Sequence, residues 1–283
     1  MVGFLQMNSI HSLFQEFSYR PRKSAGQNFL IDLEVLEKIG QTVQCPPGDL
    51  LLEVGGGYGA LTEKLVLKNC PLTVVESDNK LFAMLERKFK DAPKVSLIKA
   101  DILKLDLGIL KPPLPGGIIV VGNIPYYLTT PLITRLLDQY HLFVRGLYFM
   151  VQKEVADRLT AQPGTKAYGA LTLCAKYYAE ARKLFDVPAR CFKPRPRVDS
   201  AFVELKIKSR LPLASGGEKN FFALVRVIFQ SRRKTLSNSL KLLGKPPDQV
   251  KEALKKTGIE PGIRGERLGI EKLQELSKAL NDF

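Results

Sequence analysis

Four consecutive residues, Asn123-Ile124-Pro125-Tyr126, set an amide, a proline-fixed backbone and an aromatic ring side by side. That combination can hold a flat, polar, hydrogen-bonding ligand, and a nucleobase is such a ligand. An adenine N6 amine is a poor nucleophile because its lone pair is delocalised into the ring. The Asn123 side-chain oxygen and the Pro125 carbonyl can accept its two hydrogens, drawing the nitrogen toward tetrahedral geometry and aiming the lone pair at a methyl donor. Proline has no N–H, so its carbonyl comes without a competing donor at the same residue. Tyr126 would stack on one face of the base and Phe192 on the other. Each such contact contributes roughly 1–3 kcal/mol and offsets extraction of the nucleotide from its neighbours. No general base is required, since the methylated ammonium sheds its proton readily and alignment carries the rate.

Positioning those groups requires a sheet. Asn123 follows the β-branched run Ile118-Ile119-Val120-Val121 and Gly122, a pattern of a buried strand ending in a loop. Leu50-Leu51-Leu52-Glu53-Val54 followed by Gly55-Gly56-Gly57-Tyr58-Gly59 reads as strand, glycine-rich turn and helix. That turn alone is compatible with a dinucleotide or with a sulfonium nucleoside. Further strand-like runs lead to Glu76 and Asp101, so Glu53, Glu76, Asp101 and Asn123 stand 23, 25 and 22 residues apart. This is the length of a βα unit, and the spacing puts each polar group at the carboxyl end of a successive parallel strand, facing one crevice. Glu76 suits a ribose diol and Asp101 an adenine amine, while Glu53 near the turn favours a positively charged ligand. Each acid alone also reads as a helix N-cap; the row is what points to a nucleoside site.

The 283 residues include 43 Lys and Arg against 28 Asp and Glu, a formal charge of +15 that points to a polyanionic partner. Four cysteines, Cys45, Cys70, Cys174 and Cys191, are widely spaced, and only two histidines exist, His11 and His141. A disulfide framework, a zinc site and histidine general-base catalysis are all disfavoured, and no metal is expected. No apolar run approaches the ~20 residues of a membrane span, so the expectation is a cytoplasmic protein with no membrane association.

A two-domain α/β organisation follows. Residues 1–209 read as a Rossmann-like domain preceded by a short helix over 2–17 (Ile10, Leu13, Phe14, Phe17) and a basic arm with Arg20, Arg22 and Lys23. Thr130 and Pro131 read as the start of the helix after Tyr127, and the loop 162–169 as a mobile segment over the site. Leu211 to Gly217 is the linker. Residues 210–283 show only helical periodicity and carry 15 basic and 8 acidic residues, so the small helical domain is the more basic part. Arg232, Arg233 and Lys234, together with Arg195, Arg197 and the N-terminal arm, are the candidate phosphate contacts.

The set of motifs resembles a known family. Gly26-Gln27-Asn28-Phe29-Leu30, the Glu53 to Thr62 turn, Glu76, Ala100-Asp101-Ile102-Leu103, Asn123 to Tyr126, Pro163 to Gly169, Phe192-x-Pro194-x-Pro196-x-Val198-x-Ser200 and Arg232-Arg233-Lys234-x-Leu236 are similar, in order, to the KsgA family of ribosomal RNA adenine N6,N6-dimethyltransferases. The resemblance covers nearly the whole chain. It implies a class I methyltransferase fold, S-adenosylmethionine as cofactor, and two adjacent adenosines near the 3′ end of small-subunit rRNA as substrate. The partner would be the immature 30S particle, and the free protein a monomer. By position, Asn28 and Leu30 would line the methionine end of the cofactor, and Gly55 and Gly57 its backbone cradle. Glu76 would take the ribose and Asp101 the adenine amine, with Asn123 between cofactor and target base. The chain departs from many relatives at Gly56 and Tyr58, where they carry proline and a small or aliphatic residue. Two alternatives stay in view: the related large-subunit methyltransferases of antibiotic resistance, and an assembly factor acting mainly by binding. A nicotinamide oxidoreductase would need a proton donor that the crevice lacks.

Overall fold

The computed structural model describes residues 15, 17–21, 26–110, 112, 116–212 and 217–281. The expected N-terminal helix, except Gln15 and Phe17, lies outside the described residues, as do Arg22, Lys23 and most of the expected linker.

The central strands are the aliphatic runs of the sequence. Strands β2 (Leu50–Val54), β3 (Leu72–Glu76) and β5 (Ile118–Gly122) are buried along their whole length, as expected of parallel strands covered on both faces. With β4 (Val95–Lys99), β6 (Val144–Gln152), β7 (Ala179–Val187) and β9 (Ser200–Ile207) they form a sheet of order β4-β3-β2-β5-β6-β9-β7. β2 pairs in parallel with β3 on one side, through Leu51 and Leu72, and with β5 on the other, through Leu51 and Ile119. The chain therefore builds outward from β2 to β4 and then returns to the opposite edge of β2. Such a reversal opens a crevice beyond the carboxyl ends of the strands. A separate two-stranded antiparallel ribbon joins β1 (Phe29–Leu30) to β8 (Phe192–Lys193), with Leu30 opposite Phe192.

Helices between the strands start where capping chemistry permits. Asp32 accepts the Val35 N–H at 3.1 Å to open α1 (Leu33–Thr42), which buries Leu36 and Ile39. Gly59, at φ 83°, precedes α2 (Ala60–Leu65). Asp78 accepts the Lys80 and Leu81 N–H groups to open α3 (Asn79–Phe89). Helix α4 (Tyr126–Tyr140) corrects an expectation: it begins at Tyr126, four residues before Thr130, and Pro131 lies inside it. Pro125 acts as its cap, and the missing Pro131 N–H leaves only the Tyr127 carbonyl without its usual helical donor.

The chain divides into two compact units, Met1–Lys153 with Lys183–Leu205, and Glu154–Arg182 with Lys206–Phe283. The second unit takes in an earlier segment, 154–182, besides the residues beyond the expected boundary at 209/210. Helix α5 (Lys153–Leu159) leads into that segment, and α6 (Ala170–Tyr178) supplies the reason, being buried at Leu171 to Ala175, Tyr177 and Tyr178. Tyr177 stacks on Phe221 at 5.2 Å and Tyr178 on Phe222 at 5.8 Å, both rings belonging to α7 (Gly217–Gln230). Helix α7 packs in turn on α8 (Leu236–Leu240) and α10 (Ile270–Asn281), and α10 on α9 (Pro247–Lys256). Among the described residues no helix is long and apolar enough to cross a membrane.

Candidate active site

Three left-handed glycines, Gly55, Gly57 and Gly59 at φ 76°, 57° and 83°, bend the chain sharply between β2 and α2. Only glycine adopts these angles without strain. Gly56 is constrained differently: a Cβ there would stand 2.5 Å from Val74 Cγ1 and 2.8 Å from Leu85 Cδ1. The departure at this position therefore goes with neighbours that have closed over the space.

The end of β3 is fastened to this turn. Glu76 accepts the Gly57 N–H on one oxygen at 3.0 Å, and the Ser77 and Asp78 N–H groups on the other, both at 2.8 Å. Burial raises its carboxyl pKa, and the three N–H donors oppose that. Glu53 is 1% exposed and takes a 2.6 Å hydrogen bond from the Thr62 hydroxyl. Burial pushes its carboxyl up to about 8, partly countered by the Thr62 bond, with the Glu76 charge adding to the rise. Asp101 is exposed and accepts the Leu103 N–H at 3.0 Å, which fixes the carboxylate at the strand end.

Asn123 follows β5 directly, and its side-chain Nδ2 donates to the Asn28 carbonyl at 3.1 Å. The Asn28 side chain in turn donates to the Gly26 carbonyl at 3.1 Å. With Nδ2 engaged, the acceptor end of the Asn123 amide is left for a ligand. The Pro125 carbonyl accepts the Leu128 N–H at 2.9 Å, which uses one of its two lone pairs. Tyr126 shares a 2.7 Å hydrogen bond with the Ser200 hydroxyl, which locks the direction of its ring.

One cavity is lined by Asn28, Leu30, Gly55, Gly57, Glu76, Asp101, Asn123, Pro125 and Tyr126, together with Glu53. Every residue expected to hold cofactor or target base is among them except Phe192. That ring is 2% exposed and packs with Leu30, Val187, Cys191 and Phe202 in the core. Its pairing with Leu30 in the β1–β8 ribbon draws it inward, so in this structure it offers no face to a base.

The basic candidates lie outside this lining. Arg20, Arg195, Arg197, Arg233 and Lys234 are exposed, as phosphate contacts would be. Arg232 differs: its guanidinium binds the Glu266 carboxylate at 2.7 Å and the Lys166 carbonyl at 3.2 Å. The same loop is held by Gly164 N–H to Glu266 carbonyl and by Tyr168 hydroxyl to Leu268 carbonyl, each 2.9 Å. The 162–169 segment, expected to be mobile, is thus pinned within the second unit.

Two residues escaped sequence reasoning. Ser200 had a signal, since it ends the proline-spaced motif. Tyr58 had only its unusual identity: its hydroxyl donates to the Leu30 carbonyl at 2.6 Å, and its ring meets Phe29 edge-on at 5.8 Å.

Comparison with known proteins gives the family of the chain. The family model for ribosomal RNA adenine dimethylase matches residues 19–282. Ribosomal RNA small subunit methyltransferase A of Moorella thermoacetica is 40% identical, across 95% of this chain and 96% of its own. The protein of the same name from Shouchella clausii is 40% identical across 95% and 93%. Among solved structures, the 23S rRNA methyltransferase ErmE aligns with TM-score 0.70 and 27% identity, over 90% of this chain and all of the other. A dimethyladenosine transferase from Plasmodium falciparum aligns with TM-score 0.76 over 88% of this chain and 95% of its own; at 23% identity it speaks for the fold. The chain belongs to the ribosomal RNA adenine dimethylase family.

Proposed function

We propose that this protein dimethylates the N6 amines of two adjacent adenosines near the 3′ end of small-subunit rRNA, using S-adenosylmethionine, during ribosome biogenesis. Its partner is the immature 30S particle, which it meets as a monomer. The observation that carries the reading is the Asn123–Asn28 hydrogen bond, because it leaves the Asn123 oxygen as an acceptor beside the Pro125 carbonyl.

The cavity's donor set fits this cofactor. Gly55 and Gly57 allow close backbone approach, Glu76, with three acceptor sites taken by N–H groups, keeps a lone pair on the oxygen facing Gly57 for a ribose hydroxyl, and Asp101 can accept from the adenine amine. Asn28 and Leu30 flank the methionine end. S-adenosylmethionine supplies an electrophilic methyl group on a sulfonium. Asn123 and Pro125 hold the target amine by its hydrogens and turn its lone pair toward that methyl, while Tyr126 supports one face of the base. The proton released on methylation passes to water or to these oxygens. Neither histidine nor metal has a part in this scheme, which rests on alignment. Exposed Arg20, Arg195, Arg197, Arg233 and Lys234 contribute sequence-independent attraction to the rRNA backbone.

The small subunit is favoured over the large one by the identity of the relatives: 40% to small-subunit methyltransferases against 27% to the 23S enzyme. A tritiated-methyl assay on immature small and large subunits side by side tests this. Label on the small subunit alone is expected; label on the large subunit would overturn the substrate, and binding without label would leave an assembly role.

A further inference from the structure

Tyr127 directly follows the target-binding tyrosine and lines the same cavity, yet it is 63% exposed. A scattered exposed aromatic needs no explanation, but this one is braced. A Cβ on Gly26 would lie 3.5 Å and 3.7 Å from Cδ1 and Cε1 of the Tyr127 ring, and 3.6 Å from the Pro125 Cβ. Gly26 itself sits at φ 60°, where other residues are strained. The Cδ1–Cε1 edge of the ring therefore lies beside Gly26, and with the residue 63% exposed the rest of the ring is open to solvent at the cavity rim. Among the described residues no second ring and no cation packs on it. Tyr126 contrasts with it, being half-buried and tied by its hydroxyl to Ser200.

A held, open ring at the mouth of a base pocket meets a specific need. When the target nucleotide turns into the cavity, the base next to it loses a stacking partner. An aromatic platform at the rim replaces that partner, and a purine gains more from it than a pyrimidine because its π-face is larger. We propose that Tyr127 is the platform for the nucleobase adjacent to the target adenosine, a second base subsite with a preference for purine. The proposal rests on the reading of the cavity as an rRNA adenosine site. For one of two adjacent adenosines in the pocket, the neighbour on the platform's side is the other adenosine, a purine.

The test is a series at this position, Tyr127→Phe, Tyr127→Trp, Tyr127→Leu and Tyr127→Ala, assayed on immature small subunits. Phe and Trp are expected to keep KM for the particle within about twofold. Leu and Ala should raise it about tenfold, the size of one lost stacking contact, with S-adenosylmethionine affinity unchanged by calorimetry. A wild-type KM for the Leu variant would show plain apolar packing and overturn the proposal, and so would an unaffected Ala variant. A small-subunit rRNA fragment with 2-aminopurine next to the target gives an independent reading. Its fluorescence should be quenched by wild type and not by the Leu variant, and equal quenching would contradict stacking on Tyr127. Absence of small-subunit methylation by the wild type would instead remove the underlying functional reading.

Discussion

The side chain of Asn123 donates to the backbone carbonyl of Asn28 at 3.1 Å, across 95 residues of chain. This contact fixes which end of the amide faces the cavity, since the reversed amide would set oxygen against oxygen. Asn123→Ala is expected to lower methyl transfer by about 100-fold or more, the scale of a misaligned reacting group, with cofactor affinity kept within about tenfold. Asn123→Asp should fail similarly, because a carboxylate cannot donate to Asn28. Full single-turnover activity in either variant would refute the amine-holding role.

Glu76 ties the glycine turn to β3 through the Gly57 N–H and faces the cavity with the same carboxylate. Glu76→Gln keeps the shape but sets an amide NH2 against backbone donors. Calorimetry should show S-adenosylmethionine binding weakened about tenfold or more, with the protein still folded. Unchanged affinity would place the ribose elsewhere.

Tyr58 closes the other side of the turn. Tyr58→Phe removes only the hydroxyl bond to Leu30, costing about 1 kcal/mol of stability and a few-fold in cofactor affinity. Tyr58→Leu, which also removes the ring contact with Phe29, should cost more in both. Denaturant titration and KM for the cofactor measure the two effects, and a Phe variant equal to wild type in both would make the bond incidental.

Burial raises the Glu53 carboxyl from 4.5 to about 8. Between those values the folded protein holds a proton that the unfolded chain has released, so its stability contribution is greatest at low pH and declines as pH rises to about 8. Glu76 is shifted in the same direction. Glu53→Gln removes one of the two groups while retaining an acceptor for Thr62. Melting temperatures from pH 5 to 8.5 should show the variant gaining a few degrees on wild type toward the alkaline end. Parallel curves would mean that Glu53 is ionised in the fold.

The basic cluster splits by role. Arg232→Ala should lower thermal stability, because it strips the Glu266 carboxylate and the Lys166 carbonyl of a shared donor. Its effect on the salt dependence of particle binding should be small. Arg233→Ala with Lys234→Ala should do the reverse, reducing the salt slope by up to about two units with little change in melting. The opposite pattern would reassign both.

Much of the site could be read from the sequence because its groups lie at strand ends at a regular interval. Glu76 closes β3 and Asn123 follows β5 because the aliphatic runs before them fit only buried parallel strands. What spacing could not give was the partner of each side chain. Phe192 looked available for stacking because prolines surround it, yet pairing with Leu30 turned its ring inward. Arg232 looked like its neighbours Arg233 and Lys234 until Glu266, distant in sequence, claimed it. The start of α4 was misplaced because Thr130-Pro131 is a good local opening signal. Pro125 offered an earlier one, and the helix spans both.

The second compact unit also has a history imposed by synthesis. Its α6 emerges from the ribosome long before α7 and α10, the helices that cover it, and the Tyr168 hydroxyl waits for a carbonyl 100 residues further on. Until α7 is made, Tyr177 and Tyr178 have no aromatic cover from Phe221 and Phe222, and until α10 is made α6 and α7 both lack their packing partner. A nascent chain stopped short of Ile270 therefore carries a sticky, half-built body, and premature termination there should send the protein to chaperones or proteases rather than release a shortened enzyme.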